Sequence, residues 1–271
     1  MTFDKFTDFI HDIINWIRFQ RELGTEVVER TRHINAFLGG SADCLHNFQN
    51  GKWDATVPAT KISLPKGEAG LLEVKDLLGD CKRCGLHKTR KGIVFGEGPG
   101  DARLLIVGEA PGREEDIEGR PFVGPSGKLL AKMLKAIDIE RSDTYITSVI
   151  KCRPPANRTP KPGEIASCIP FLALQICAVS PKLILALGQI AAQWLLNVRK
   201  PLHELRGVLY SLPDLPVSSM RIDRPNDILD IKVVVTYHPA YILRLAGDRQ
   251  KSVKLDVWKD LQMLQHEYKQ G

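Results

Sequence analysis

Four cysteines, Cys81, Cys84, Cys152 and Cys168, have the residue type and spacing that most directly imply chemistry. Two residues lie inside the first pair, 67 between the pairs and 15 inside the second. So long a gap describes a site assembled by folding rather than a local staple. Thiolates converging on one point hold metal, and four sulfur ligands suit either structural zinc or an iron–sulfur cluster. Spacing does not separate the two. The first pair sits in Cys81-Lys82-Arg83-Cys84-Gly85-Leu86-His87-Lys88, a basic loop unlike the apolar segments in which unligated cysteine packs. Cys177 lies in such an apolar segment and reads as core, while Cys44 lies in a linker with no evident partner.

A second set of reactive side chains follows three apolar runs. After Leu104-Leu105-Ile106-Val107 come Gly108-Glu109-Ala110-Pro111-Gly112 and then Gly119-Arg120-Pro121-Phe122-Val123-Gly124. Tyr145 to Ile150 leads into Lys151-Cys152-Arg153-Pro154-Pro155-Ala156-Asn157-Arg158, and Val233 to Tyr237 into His238-Pro239-Ala240-Tyr241-Ile242-Leu243-Arg244. Together they offer a carboxylate, an aromatic ring, an amide, a histidine and several arginines. Two tempting motifs fail. Gly96-x-Gly98-x-Gly100 precedes a strand and lacks the dinucleotide spacing, and Gly127-Lys128 lacks both the earlier glycine and the following hydroxyl of a phosphate loop.

The elements that must position these residues can be read from periodicity. Leu183 to Leu187 is a fourth short apolar run, and helical patterns separate the four: Leu129, Leu130, Met133, Leu134 and Ile137, then Ala166 to Val179. This alternation predicts an α/β fold, a four-stranded, mostly parallel sheet with helices on both faces, which binds ligands beyond the carboxyl ends of its strands. Ahead of it, residues 3–38 step their apolar positions by three and four, so 1–46 reads as an amphipathic helical extension and 47–70 as a linker, with the main domain at 71–271. The apolar face of that extension either packs, its ordinary use, or binds a partner protein. The 271 residues, 43% of them hydrophobic, suffice for one sizeable core. No apolar run approaches the roughly 20 residues of a membrane span, and a cytoplasmic protein with reduced cysteines is expected. Residues 1–70 hold 8 basic against 9 acidic side chains and residues 71–271 hold 30 against 23, so the basic excess belongs to the main domain and favours a polyanionic partner.

Taken in order, these loops resemble the uracil-DNA glycosylase superfamily over about residues 71–268, and most closely its type-4 branch, which carries a 4Fe-4S cluster. The resemblance implies the three-layer fold of that superfamily and hydrolysis of the N-glycosidic bond of uracil in DNA, the opening step of base excision repair. It implies a cluster on Cys81, Cys84, Cys152 and Cys168, with a structural role. Phe122 becomes the stacking platform for a flipped base, with Gly108, Ala110 and Gly112 letting main chain approach it. His238 is the donor that stabilises the leaving base as an anion. Glu109 positions water or counters the cationic sugar, with Asn157 as its partner. Ile242 and Leu243 would wedge into the base stack. Arg120, Arg153, Arg158, Lys161 and Arg244 would meet phosphates, and Tyr241 belongs to the same DNA-facing motif. A monomer acting on DNA is expected. The alternative is a DNA-binding iron–sulfur module that has lost activity, associated with replication or repair proteins. A branch that traps its product through a histidine after the second strand is disfavoured, because that loop holds no histidine.

One position departs from the family. Where type-4 enzymes place asparagine, this chain has Ser148 in Thr147-Ser148-Val149-Ile150-Lys151-Cys152. A hydroxyl is shorter than an amide and rotates between donor and acceptor roles. Weaker or broader base selection is expected, reaching deaminated purines.

Overall fold

The computed structural model describes residues 64–212 and 230–270. The expected helical extension, the linker up to residue 63 and Cys44 lie outside them. Among these described residues five strands form one sheet: β1 (Leu104–Gly108), β2 (Thr144–Ser148), β3 (Leu183–Leu187), β4 (Leu209–Ser211) and β5 (Lys232–Thr236). Their order is β2-β1-β3-β5-β4, with all neighbours parallel except β4, which runs antiparallel to β5. The sequence reading of four strands is thereby corrected to five. Leu209-Tyr210-Ser211 is too short to show alternation, and only its pairing with Val234, Val233 and Lys232 makes it a strand.

Every residue of β1, β2 and β3 is buried, as expected of strands covered on both faces. Alternate side chains serve two cores. Leu105, Val107, Ile184, Ala186, Val233 and Val235 pack under α1 (Glu68–Leu78), α4 (Pro162–Val179), α5 (Gln189–Leu195) and α6 (Leu202–Leu205). Leu104, Ile106, Ile146, Leu185 and Val234 pack against α3 (Pro125–Lys135), α7 (Pro239–Arg244) and α8 (Gly247–Gln270). A short helix, α2 (Arg113–Glu118), joins β1 to α3.

Helix α1 begins at Glu68, just ahead of the expected domain start, and α4 begins at Pro162, a turn earlier than its apolar pattern. Proline opens α3, α4 and α7, where its missing N–H and fixed φ cost nothing. Helix α4 is long and apolar enough to cross a membrane by length and composition, but 72% of that span is buried in the fold. Cys177 lies within it and is core, as its sequence context implied. Chain direction across the sheet reverses at β1, whose neighbours are β2 on one side and β3 on the other, so a crevice forms at its carboxyl end.

Candidate active site

A cavity of about 370 Å³ opens beyond the ends of β1, β2 and β5. Glu109 and Ala110 enter it directly after β1, Ser148 closes β2, and His238 follows β5, while Asn157, Arg158 and Arg244 stand around it. The wall between them is the Phe122 ring, stacked on the His238 ring with centroids 5.6 Å apart and planes 30° from parallel. Gly108 does not line the cavity; a Cβ there would come within 2.6 Å of Phe122 Cζ, so this glycine makes room for the ring rather than for a ligand. Gly112 lines the cavity, but its N–H donates to Glu115 Oε2 at 3.0 Å. The other oxygen of Glu115 accepts from the N–H groups of Val123 and Gly124, both at 3.0 Å. This buried carboxylate, which periodicity alone does not single out, ties the two halves of the cavity wall together.

His238 caps α7, and its Nδ1 accepts from the Ala240 N–H at 3.1 Å. With Nδ1 held as an acceptor, a neutral ring must carry its proton on Nε2 and act as a donor there. Burial, helped by the charge of Arg244, pushes the histidine pKa down to about 4. The ring is therefore a neutral donor at pH 7. Glu109 is shifted the other way: burial raises its pKa, and Arg244 opposes the rise. A carboxylate and a neutral imidazole facing one cavity with an aromatic wall suit a flat, polar ring and a reaction that leaves negative charge on it.

Outside the cavity, Ile242 is corrected. It is 2% exposed and packed in the core of α3 and α8, because residues 239–244 form a helix rather than a loop and turn it inward. Leu243, 48% exposed, points away from the core beside Arg244. Tyr241 stacks on Tyr237 with centroids 5.4 Å apart, and its hydroxyl accepts from Arg249 at 3.3 Å. Arg120 pairs with Glu97 at 2.8 Å and Arg158 with Glu164 at 2.6 Å, while Arg153 Nε donates to Asn157 Oδ1 at 2.7 Å. Asn157 is exposed with φ 55°, and that hydrogen bond from Arg153 is what orients its amide. Lys161 is the N-cap residue of α4, with its N–H donating to Glu164.

Cys81, Cys84, Cys152 and Cys168 line one second, small cavity between the loop after α1, the segment after β2 and α4. Among the described residues no group of three or more His, Cys, Asp or Glu is drawn together as for a metal ion. Donors nevertheless aim at three of the sulfurs. Arg90 Nη1 reaches Cys152 Sγ at 3.3 Å, Arg83 Nη1 reaches Cys81 Sγ at 3.4 Å, and the Lys151 N–H reaches Cys168 Sγ at 3.3 Å. Burial pushes the Cys168 thiol up to about 12 and raises Cys84 and Cys152 as well. Without a metal these groups keep their protons; N–H donors and cations around them suit thiolates that a bound metal has deprotonated.

The sequence profile of the Uracil DNA glycosylase superfamily matches residues 95–262. The type-4 uracil-DNA glycosylase of Pyrobaculum aerophilum is 39% identical over 192 residues, covering 68% of this chain and 92% of that protein. The type-4 uracil-DNA glycosylase of Thermotoga maritima is 40% identical over 185 residues, covering 68% of this chain and 88% of that protein. That of Archaeoglobus fulgidus is 41% identical over 167 residues, covering 60% of this chain and 78% of that protein.

Proposed function

Since this chain belongs to the uracil-DNA glycosylase superfamily, we propose that it is a monofunctional, type-4-like uracil-DNA glycosylase, which hydrolyses the N-glycosidic bond of uracil in DNA. The observation that carries this reading is the single cavity that Phe122, Ser148, Glu109 and His238 line together, with His238 Nδ1 already taken by the Ala240 N–H.

A base inside a duplex is out of reach, so the nucleotide must be extruded, at a cost of a few kcal/mol in stacking and pairing. Leu243, exposed beside the cavity, suits the wedge that fills the gap, and Arg244, which lines the cavity, suits a flanking phosphate. Uracil then lies on the Phe122 ring with Ser148 at its edge. As the bond lengthens, negative charge gathers on the base and positive charge on the sugar. The Nε2–H of neutral His238 donates to the developing oxyanion, and a neutral donor costs less to hold in a dry site than an imidazolium. Glu109 as carboxylate orients water toward the sugar carbon and offsets its charge. Asn157, pinned by Arg153, is the second group available to that water. Arg153, Arg158 and Arg120 reach DNA only by exchanging carboxylate or amide partners for phosphate, so their contribution should be salt-sensitive.

The cysteine set fits a 4Fe-4S cluster held by Cys81, Cys84, Cys152 and Cys168. When bound it would tie the loop after α1 to both ends of the segment carrying Arg153, Asn157 and Arg158. An inactive binding module finds no supporting observation, because the carboxylate, ring and histidine share one cavity. The test is cleavage of a labelled single-stranded oligonucleotide with one uracil, followed by hot alkali. Scission by the wild type and its loss in His238→Ala support the reading. No scission by iron-loaded protein would sink it.

A further inference from the structure

We propose that Arg141, locked by Glu97, is the positioning residue that sets the base-stacking ring of Phe122. Phe122 has φ 52°, a left-handed backbone that bulky residues rarely adopt and that persists only where the surroundings over-determine it. Arg141 supplies that determination. Its Nη1 donates to the Phe122 carbonyl at 2.9 Å and its Nη2 to the Pro121 carbonyl at 2.7 Å, so one guanidinium spans both peptide oxygens at the turn. Nη2 is in turn held by Glu97 Oε1 at 2.6 Å, and the second oxygen of Glu97 takes Arg120. Burial alone would raise the Glu97 pKa, but the two arginines outweigh it and hold the value below normal.

The Gly96-x-Gly98 segment, which is no nucleotide fingerprint, gains its purpose here. Gly96 and Gly98 take φ 150° and 125°, and Glu97 between them exchanges backbone hydrogen bonds with Ile146 of β2. A Cβ at 98 would stand 2.0 Å from the Thr144 carbonyl, and one at 96 would stand 2.7 Å from the Tyr145 hydroxyl. Glycines there let the chain lie flat against the sheet and deliver Glu97 to Arg141. The edge strand β2 thus fixes the Phe122 wall of the base cavity through Glu97, Arg141 and the Phe122 backbone.

The inference rests on the glycosylase reading, and its test keeps the two apart. Full-length wild type, Arg141→Met, Glu97→Gln, Phe122→Ala and the Arg141→Met/Phe122→Ala double variant are compared by single-turnover cleavage of uracil DNA, inhibition by free uracil, binding to an abasic-analogue oligonucleotide, and thermal unfolding. Arg141→Met is expected to weaken cleavage and free-uracil inhibition by roughly 10–100-fold, the scale of a displaced reacting partner, with abasic binding unchanged within about twofold. On the Phe122→Ala background it adds no further loss, because the ring it positions is gone. Abasic binding that falls in step with cleavage, or losses that multiply in the double variant, would overturn the inference. If Arg141→Met does not fold, Glu97→Gln must show the same loss of free-uracil inhibition more weakly, a readout that Arg120, also released by this change, does not move, and an unchanged Glu97→Gln also overturns it. A wild type that neither cleaves uracil DNA nor responds to free uracil refutes the glycosylase reading itself, and the inference with it.

Discussion

His238 and Glu109 set the pH behaviour. The folded pKa of His238, about 4, lies below its ordinary 6.5, so its proton is bound more readily by the unfolded chain. Its contribution to stability is present above pH 6.5 and is lost as pH falls towards 4. Thermal unfolding of His238→Gln across that window should lack the corresponding slope. Activity should show no histidine limb near 6.5. Its acid limb instead follows Glu109, whose pKa burial raises above 4.5, and Glu109→Gln should abolish that limb and cost roughly 10²–10⁴ in rate. His238→Ala should cost about 10²–10³ in rate, the worth of one oxyanion donor. Ser148, 4% exposed at the cavity wall, is short enough to leave a gap at the base edge. Ser148→Asn should therefore sharpen selection of uracil over hypoxanthine by about 1–3 kcal/mol, read as a ratio of kcat/KM values. An unchanged ratio would show that the hydroxyl does not read the base. Glu109 and His238 were legible in the sequence because each follows an apolar run, and Phe122 because it stands in the Gly119-Arg120-Pro121-Phe122-Val123-Gly124 motif that carries the family resemblance. Arg141 and Glu97 were not, since 44 residues separate them and no pattern links them before folding.

Among the elements, α3 is the one whose start depends on the site. A Cβ at Gly127 would meet the Phe122 carbonyl oxygen at 1.7 Å, so Gly127→Ala must displace either the helix or the platform. A loss of about 1–3 kcal/mol in unfolding free energy together with weaker uracil cleavage is expected, since overpacking is met here by backbone rather than by a flexible side chain. The segment between Cys152 and Cys168 is the second dependent element. It carries Arg153, Asn157 and Arg158, with Ala156 and Asn157 at positive φ, and it is tied at both ends by candidate metal ligands. Cys168→Ser should lower bound iron and open this segment and the Cys81–Cys84 loop to protease, while the sheet stays protected. Brown protein absorbing near 400 nm is the expected starting material; colourless, zinc-loaded protein would replace the cluster with zinc.

For the whole molecule, the chain divides after residue 60, and the site lies entirely within residues 61–271. A protein beginning at Lys61 should keep the single-turnover rate on uracil DNA within about twofold, because no residue of the site is removed. A larger drop would assign residues 1–60 a part in catalysis or DNA binding. Raising salt should weaken DNA binding along a log–log line, with a slope of about −0.7 for each phosphate met on a single strand, and Arg244→Ala should lower that slope by roughly one contact.

The sequence by itself determined the alternation of buried strands and helices, and hence the end of the sheet at which to look for chemistry, because strand burial and helix periodicity are written in local patterns of side chains. It also marked the four cysteines and most of the cavity wall. Only the tertiary structure decided that Ile242 faces the core, that β4 extends the sheet, that Gly108 serves the Phe122 ring and that Gly96 and Gly98 serve Glu97. Each of these turns on which backbone or ring comes to lie within a few ångströms, and that distance is set by packing between segments remote in the chain, which no local pattern records.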